Sequence, residues 1–384
     1  MSKRYAVFLT ALFCCFIGGT FLLNLLTPDR DFSPAENRVL TKLPKLGPED
    51  FRLRFPVADS GDFFTGRFMS EFESYVNDQF VGRDGWVSAK AAAEAVMGKE
   101  ENNGVYLCEE DTLIPRFDAP DEKRVEENLS AVSALAEQAG VPVYFSLIPG
   151  KVSVWADRLP VGAPNASETE ILCRAAAETK ARWIDVDSAL TNHAGETIYY
   201  RLDHHWTSLG AYYGYAALME GMGVEPVPME HYEKTTVSTD FNGTTYSTSG
   251  VRWMRPDTID CYVPDTGVTV TAWPGTEPEQ GKLYDWSRLQ EKDQYSFFLG
   301  GNKPLAVIKT AHPEAPKLLL VRDSYSDSLA PFLTAHFSEI HLFDPRYNKE
   351  PISRYLADNH IDEVLVLYSV SNFVSDSNLF LLSR

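Results

Sequence analysis

The chain has 384 residues, of which 44% are hydrophobic and 12% aromatic, and its formal net charge is -19 at pH 7. This composition is typical of a folded chain and excludes an intrinsically disordered one. Binding to nucleic acid requires clusters of Lys and Arg, which this acidic sequence lacks, so we expect no nucleic-acid partner.

An apolar segment without charged residues extends from Tyr5 to Leu26, directly after Lys3 and Arg4. It is long enough to span a bilayer, and the two preceding charges predict a cytoplasmic N-terminus. A cleaved signal peptide is the alternative, but the segment is longer than the usual apolar core and no small-residue cleavage site precedes Pro28. We therefore expect residues 1–27 to be the transmembrane anchor of a single-pass membrane protein with an extracytoplasmic catalytic domain.

Residues 28–118 are predicted to form a juxtamembrane linker and a helical collar. The linker Pro28–Pro56 is rich in Pro, Asp and Arg, and the collar Phe63–Met97 has its apolar residues at helical spacing. Gly104–Leu107 predicts a short strand that leads into the main domain.

In residues 119–384, helices alternate with short apolar strands, which predicts an α/β domain whose parallel sheet is sandwiched by helices. A capping box, Ser167–Glu170, opens one of the helices. The predicted strands are Val141–Ile148, Trp183–Val186, Lys317–Val321, Glu339–Phe343 and Glu363–Tyr368. The other predicted helices are Asp121–Ala139, Ser208–Met222, Asp327–Phe337 and Pro351–Asn359.

The stretch of about residues 224–302 lacks this alternation of helices and strands and is rich in Thr, Tyr, Trp, Asp, Pro and Gly. It predicts an inserted region of strands and loops over one edge of the sheet. Such a region is either a substrate lid or a cover for an exposed sheet edge.

Ser324 follows a predicted strand and precedes a predicted helix. Ligands of open α/β sheets bind at the C-terminal ends of the strands, and a helix N-terminus offers backbone N–H groups to an oxyanion. Ser324 is therefore a candidate nucleophile, although a serine at this position is often only a helix cap.

A candidate base lies in the loop before the helix Ser208–Met222. Residues two apart in a loop can face the same side, so Asp203 can orient His205 while His205 faces Ser324. Asp203, His204 and His205 are also possible ligands of Zn²⁺ or Mn²⁺. Phosphoesterases with an Asp-His-His motif need further Asp clusters that are absent here, so we predict neither a metal nor a cofactor.

The block Asp203-His204-His205-Trp206, with Thr207-Ser208 and Gly210-Ala211, resembles the signature of the DHHW family of bacterial proteins. Other motifs extend the resemblance along most of the chain. They are Glu36-Asn37-Arg38 with Leu40, Tyr75 to Phe80 with Arg83, Ile148-Pro149 with Lys151, Phe298 to Asn302, Asp323-Ser324-Tyr325, and Asp344 with Arg346-Tyr347.

The DHHW family is similar to the SGNH-hydrolase-like proteins of alginate O-acetylation. The resemblance implies an SGNH-like (flavodoxin-like) three-layer sandwich with Ser324 as nucleophile, His205 as base and Asp203 as its orienter. His205 is favoured over His204 because the similar alginate proteins keep the second histidine. Since the histidine block precedes the serine block, the resemblance also implies a circularly permuted arrangement.

The remaining site residues are less defined, because the sequence lacks obvious equivalents of the Gly and Asn blocks of SGNH esterases. Arg346, Asn302 and Tyr325 are candidates for contacting the substrate or the oxyanion. Asn372 is a further candidate donor. Arg346 can instead form a salt bridge with Asp344 or Asp323, and a lone lysine such as Lys151 is usually solvated or structural.

The resemblance implies an extracytoplasmic serine-dependent O-acetyltransferase of the cell envelope that acts on a cell-surface or exported polysaccharide. Transfer of acetyl groups across a membrane would require a membrane-bound O-acyltransferase as partner. A carbohydrate esterase with the same triad is one alternative. Another is a non-catalytic surface protein that binds glycan or scaffolds an assembly through the aromatic stretch Tyr246–Trp286.

Overall fold

The computed structural model describes residues 2–45 and 67–384, which form two compact units. The first unit comprises Met1–Lys99 and Gly250–Arg252, and the second comprises Glu100–Ser249 and Trp253–Arg384. The predicted linker and the start of the predicted collar overlap residues 46–66, which lie outside the described residues.

The first unit begins with an apolar helix that is long enough to cross a membrane, a property that signal sequences share. After it, Arg38 forms two hydrogen bonds with Asp78, at 2.9 and 2.5 Å. Gln79 Nε2 donates to the carbonyls of Arg30 and Thr41. The segment after the apolar helix is thus hydrogen-bonded to the end of the helix Arg67–Gln79. The elements are α1 (Lys3–Leu26), β1 (Phe32–Ser33), β2 (Arg38–Val39), α2 (Arg67–Gln79) and α3 (Arg83–Val96).

The second unit contains an eight-stranded sheet, a three-stranded sheet and a pair of strands. Its first half comprises β3 (Glu101–Asn102), β4 (Val105–Cys108), β5 (Thr112–Pro115), α4 (Glu122–Gln138), β6 (Val143–Ile148), α5 (Lys151–Val154), α6 (Glu168–Glu178), β7 (Arg182–Trp183), α7 (Val186–Asn192) and α8 (Ser208–Met222). The predicted insertion contains β8 (Thr235–Phe241), α9 (Thr244–Ser249), β9 (Asp257–Cys261), β10 (Thr269–Trp273) and β11 (Glu279–Gly281). The C-terminal part comprises β12 (Leu305–Lys309), β13 (Lys317–Arg322), α10 (Ser326–Leu333), β14 (Glu339–Phe343), α11 (Ile352–Asn359), β15 (Glu363–Ser369) and α12 (Val370–Ser375).

The large sheet has the strand order β11-β10-β12-β14-β13-β15-β6-β7. The five strands from β14 to β7 are parallel, and every residue of β6 is buried. Because successive side chains of a strand point to opposite faces, the burial of a whole strand requires cover on both faces of the sheet. The protein is therefore a mixed α/β protein with a mostly parallel sheet.

The predicted parallel sheet continues at one edge into three strands that are antiparallel to their neighbours, β12, β10 and β11. The connection of seven residues from β12 to β13 is too short for the crossover that a parallel return needs. The predicted strand Trp183–Val186 is too long, because Asp185 caps α7 by accepting from Ser188 N. The predicted helix Asp327–Phe337 ends earlier, at Leu333.

Candidate active site

Ser324 lies in the short turn between β13 and α10, at the C-terminal edge of the parallel strands. Its neighbour Asp323 is fully buried and accepts hydrogen bonds from Ser369 N at 2.9 Å, from Ser369 Oγ at 2.7 Å and from Asn372 Nδ2 at 2.8 Å. Asp323 Oδ1 also accepts from Tyr325 N at 3.1 Å. The end of β15 thus fixes the turn that presents the Ser324 hydroxyl.

His205 lies between Ser324 and Asp203. Its Nδ1 donates to Asp203 Oδ1 at 2.5 Å, and its Nε2 is 2.8 Å from Ser324 Oγ. Since the carboxylate can only accept, the proton is on Nδ1, and Nε2 is left to accept from the serine hydroxyl. The structure thus brings together the three residues predicted as a triad, in the order that general-base activation of a serine requires.

The carboxylate of Asp203 is buried and makes four hydrogen bonds. Its Oδ1 accepts from the backbone N and Nδ1 of His205, and its Oδ2 accepts from Thr244 N at 2.7 Å and Thr244 Oγ1 at 2.9 Å. Burial opposes ionisation, but the two histidines and the bonds from His205 hold the pKa of Asp203 well below its usual value. Asp203 therefore stays charged and orients His205.

Gly243 lets the inserted segment approach Asp203 closely. A Cβ on Gly243 would lie 2.3 Å from Asp203 Cβ and Oδ2, so no other residue type fits without displacing the carboxylate. The hydrogen bonds from the backbone N–H and the hydroxyl of Thr244 to Asp203 depend on this close approach.

The histidine loop and the serine turn are joined by reciprocal hydrogen bonds. Trp206 Nε1 donates to Tyr325 O at 2.9 Å and to Ser328 Oγ at 3.0 Å, while the Tyr325 hydroxyl donates to His204 O. All of these side chains except that of His204 are buried. The two blocks are therefore held in register with each other, which fixes the distance between His205 and Ser324.

Tyr295, in the predicted insertion, stacks on the imidazole of His205. The ring centroids are 3.8 Å apart and the planes differ by 8°. The Tyr295 hydroxyl donates to Ser324 O at 3.1 Å and lies 3.1 Å from Ser328 Oγ. One side chain of the insertion thus contacts both the base and the turn that carries the serine.

Arg322 is a buried cation below the serine turn. Its NH1 donates to Asn302 Oδ1 at 2.9 Å and lies 2.8 Å from Asp327 Oδ1. Burial raises the pKa of Asp327 to about 6, although Arg322 opposes this shift. With its oxygen bound to Arg322, Asn302 retains Nδ2 as a donor that bonds to none of the described residues.

The structure places the other predicted candidates in different settings. Arg346 donates to both carboxylate oxygens of Asp344, at 2.9 and 2.7 Å, which is the predicted salt bridge. Tyr325 packs beside His205 with its hydroxyl bonded to His204 O. The roles of Arg346, Asn302 and Tyr325 at the substrate or the oxyanion stay predictions.

Asp203, His204 and His205 also satisfy the spacing of a metal site. However, the carboxylate oxygens already accept from four donors, and His205 Nδ1 carries a proton. A cation would have to displace these bonds, so this donor set fits the orientation of an imidazole and does not fit a metal ion.

The model of the DHHW protein family matches residues 141–343, more than half of the chain. The chain belongs to the DHHW family. The resemblance recognised in the sequence is thus confirmed.

Similar solved structures include a DHHW family protein from Eubacterium siraeum, which is 27% identical with a TM-score of 0.64, covering 73% of this chain and 95% of that chain. Bacillus cereus PatB1 with a sulfonyl adduct is 20% identical with a TM-score of 0.58, over 73% and 98% of the two chains. The O-acetyltransferase domain of Pseudomonas putida AlgJ is 15% identical with a TM-score of 0.47, over 73% and 99%. No curated protein matches the chain.

Two residues around the site of this DHHW protein, Thr244 and Tyr295, escaped the sequence prediction. Thr244 and Tyr295 lie in a region without periodic pattern, and only Gly243 signals that the backbone can approach another group closely there. Lys151 is buried, and its ammonium donates to the carbonyls of Leu113, Tyr200 and Arg201, so it supports the loop before Asp203. Burial lowers the pKa of Lys151 to about 8.

Proposed function

We propose that this DHHW protein is an extracytoplasmic serine-dependent O-acetyltransferase that modifies a cell-surface or exported polysaccharide. The observation that carries the proposal is the continuous chain from Asp203 Oδ1 through His205 to Ser324 Oγ, with steps of 2.5 and 2.8 Å. A protein that only binds glycan has no need of a serine hydroxyl bonded to a histidine that a buried carboxylate orients.

In the first half-reaction, Ser324 Oγ attacks the carbonyl carbon of an acetyl donor while its proton moves to His205 Nε2. Asp203 stabilises the imidazolium that forms. The imidazolium then protonates the leaving group as its bond to the acetyl carbon breaks, which leaves acetyl-Ser324. In the second half-reaction, an acceptor hydroxyl repeats these steps and releases the serine.

Two donors are suited to the oxyanion that forms on the acetyl oxygen. Ser324 N makes no hydrogen bond to any described residue, and it lies at the N-terminal end of α10, where the helix dipole favours negative charge. The free Nδ2 of Asn302, whose oxygen is bound by Arg322, is the second donor in this proposal.

The apolar helix α1 supports a location at the membrane. In this proposal α1 is the anchor, the catalytic unit lies outside, and a membrane-bound O-acyltransferase delivers acetyl groups from the cytoplasm. The resemblance to the alginate O-acetylation proteins favours transfer over hydrolysis. The order of the histidine and serine blocks supports a circularly permuted SGNH arrangement.

Replacing the nucleophile tests the proposal. Ser324→Ala should abolish release of p-nitrophenol from p-nitrophenyl acetate and should abolish acetylation of the polysaccharide in cells. Ser326→Ala is the matched control, because the Ser326 hydroxyl is buried two residues away and makes no hydrogen bond to the described residues.

Full acetylation with Ser324→Ala would contradict the proposal. Two results together would indicate a carbohydrate esterase instead. The wild type would release p-nitrophenol at a rate that no polysaccharide acceptor increases, and cells lacking the protein would show no loss of acetylation.

A further inference from the structure

The carboxylate of Asp203 serves two imidazoles. Its Oδ1 accepts from His205 Nδ1, as the triad requires. Its Oδ2 accepts from Thr244 Oγ1, and the same hydroxyl oxygen lies 2.5 Å from Nδ1 of His204. A second chain of hydrogen bonds thus runs from Asp203 through Thr244 to His204, beside the catalytic chain.

The direction of this second chain determines the tautomer of His204. A threonine hydroxyl has one proton, and its bond to an ionised carboxylate is stronger than its bond to a neutral imidazole. Thr244 therefore donates to Asp203 and accepts from His204 Nδ1. His204 Nε2 is left without a proton, so it can accept a hydrogen bond.

His204 Nε2 is available to a ligand beside the nucleophile. The imidazoles of His204 and His205 have their centroids 3.8 Å apart, and His205 itself bonds Ser324 Oγ. The side chain of His204 is 35% exposed, whereas that of His205 is 6% exposed. Nε2 has no hydrogen-bond partner in residues 2–45 and 67–384.

Two further features hold His204 in place and keep its imidazole neutral. The Tyr325 hydroxyl donates to His204 O and fixes its backbone. Burial of its inner edge and the neighbouring His205 lower the pKa of His204 to about 4, so its imidazole is neutral near pH 7. A neutral imidazole with Nδ1 protonated offers a hydroxyl group one acceptor at a fixed place.

We propose that His204 Nε2 binds a second hydroxyl of the acceptor, next to the hydroxyl that receives the acetyl group, so that the site selects vicinal diols over lone alcohols and water. Sugars are the acceptors that present such neighbouring hydroxyls. This inference rests on the proposed function, because it requires an acetyl-Ser324 intermediate, and it makes His204 a specificity-determining residue of the second half-reaction.

His204 neither gains nor loses a proton in the transfer step. The reacting hydroxyl oxygen attacks the carbonyl carbon of acetyl-Ser324, and its proton moves to His205 Nε2. The bond between that carbon and Ser324 Oγ breaks, and the imidazolium returns its proton to Oγ. Meanwhile the neighbouring hydroxyl donates to His204 Nε2 and keeps its own proton.

Two small acceptors that differ in one hydroxyl test this inference. The full chain is mixed with p-nitrophenyl acetate and equal concentrations of ethylene glycol and 2-methoxyethanol, and the two acetyl esters are measured. The wild type should favour ethylene glycol, after correction for its two hydroxyls, by about two- to tenfold, the value of one neutral hydrogen bond.

His204→Phe should remove this preference, which is the ratio of the two esters formed and is therefore read whatever the size of the initial burst of p-nitrophenol. His204→Gln should keep part of the preference, because its side-chain carbonyl can accept a hydrogen bond. His312→Phe, which replaces an exposed histidine, is the control and should change neither quantity.

An unchanged preference in His204→Phe would overturn the inference. If His204→Phe also lost the burst, His204→Gln would decide, because a normal burst without any preference in that variant would contradict the inference as well. Absence of any p-nitrophenol release by the wild type would instead contradict the proposed function.

Discussion

The regular α/β part of the second unit and the inserted region build different parts of the candidate site. The turn after β13 supplies Ser324, and the loop before α8 supplies Asp203 and His205. The region 224–302 supplies Thr244, which bonds Asp203, and Tyr295, which stacks on His205. The reacting groups thus come from the regular fold, and groups that fix their geometry come from the irregular part.

Neither role that the sequence suggested for the insertion includes these contacts. A lid or an edge cover would touch substrate or sheet, whereas Thr244 and Tyr295 touch the triad itself. We therefore expect substitutions of site residues in the regular α/β part to abolish or nearly abolish the reaction. Substitutions in the insertion should slow it, because His205 is then held less firmly.

Among the residues that position the serine and its base, the largest effect is expected from Asp203→Asn, in the loop before α8. An amide at this position would favour the wrong tautomer of His205, so the rate of acetyl release should fall on the order of 10³- to 10⁴-fold. Steady-state hydrolysis of p-nitrophenyl acetate measures this loss. Asp265→Asn, at an exposed carboxylate, should retain the wild-type rate. A loss of less than about tenfold in Asp203→Asn would mean that this carboxylate does not orient the base.

Gly243→Ala should be the most damaging single change in the insertion. The new methyl group would lie 2.3 Å from Asp203. The carboxylate or Thr244 must therefore move by about 1 Å, and a misplacement of about 1 Å is expected to cost about 100-fold in rate. The same kinetic assay applies. Gly275→Ala is the matched control, because a Cβ there meets no atom within 4 Å. Equal rates for Gly243→Ala and Gly275→Ala would show that the insertion does not position the triad.

Two substitutions of Tyr295 should distinguish the contribution of its ring to kcat from that of its hydroxyl. Tyr295→Phe keeps the stacked ring but loses the bond to Ser324 O, so about a two- to tenfold loss in kcat is expected. Tyr295→Leu loses both contacts and should cost about 10- to 100-fold. A structural role alone would lower the thermal stability of both variants, more in Tyr295→Leu, while leaving their kcat values equal.

The sequence predicted the parts of the fold that repeat a pattern. The strands before Ser324 and after α11 are continuous apolar runs, and the capping box Ser167–Glu170 marks the start of α6, where Ser167 Oγ accepts from Glu170 N. The triad could be predicted because its residues lie at the ends of such elements and carry the motifs of a family.

The rest of the site depends on contacts between residues far apart in the chain. Thr244 meets Asp203 across 41 positions, and nothing in the local sequence encodes this approach except a glycine. Tyr295 lies in a short 3₁₀ turn whose aromatic residues are spaced for no regular element. β12 was missed because it follows the insertion directly, without the helix that precedes the parallel strands.

The smallest effect on activity is expected away from the site, at Glu168 of α6. Burial raises the pKa of Glu168 to about 7, so the folded state keeps a proton that the unfolded chain loses near pH 4.5. The wild type should therefore lose more stability than Glu168→Gln as the pH rises from 5 through 7, by up to about 3 kcal/mol. Urea unfolding at pH 5 and pH 8 measures the difference.

This substitution is also a control for the comparison of the two regions. Glu168 Oε2 accepts from Gly150 N at 2.7 Å, and the Gln oxygen can make the same bond. The kinetic constants of Glu168→Gln at pH 7 should equal those of the wild type. A stability that rises from pH 5 to pH 8 in the wild type relative to the variant would contradict the sign of this prediction.

The central claim is that Ser324 carries the acetyl group. Full-length protein quenched with acid shortly after mixing with p-nitrophenyl acetate should gain the mass of one acetyl group, and peptide sequencing should locate it at Ser324. Ser324→Ala should gain none, and Ser326→Ala should gain it as the wild type does. Acetylation at another residue, with equal rates in all three proteins, would contradict the account.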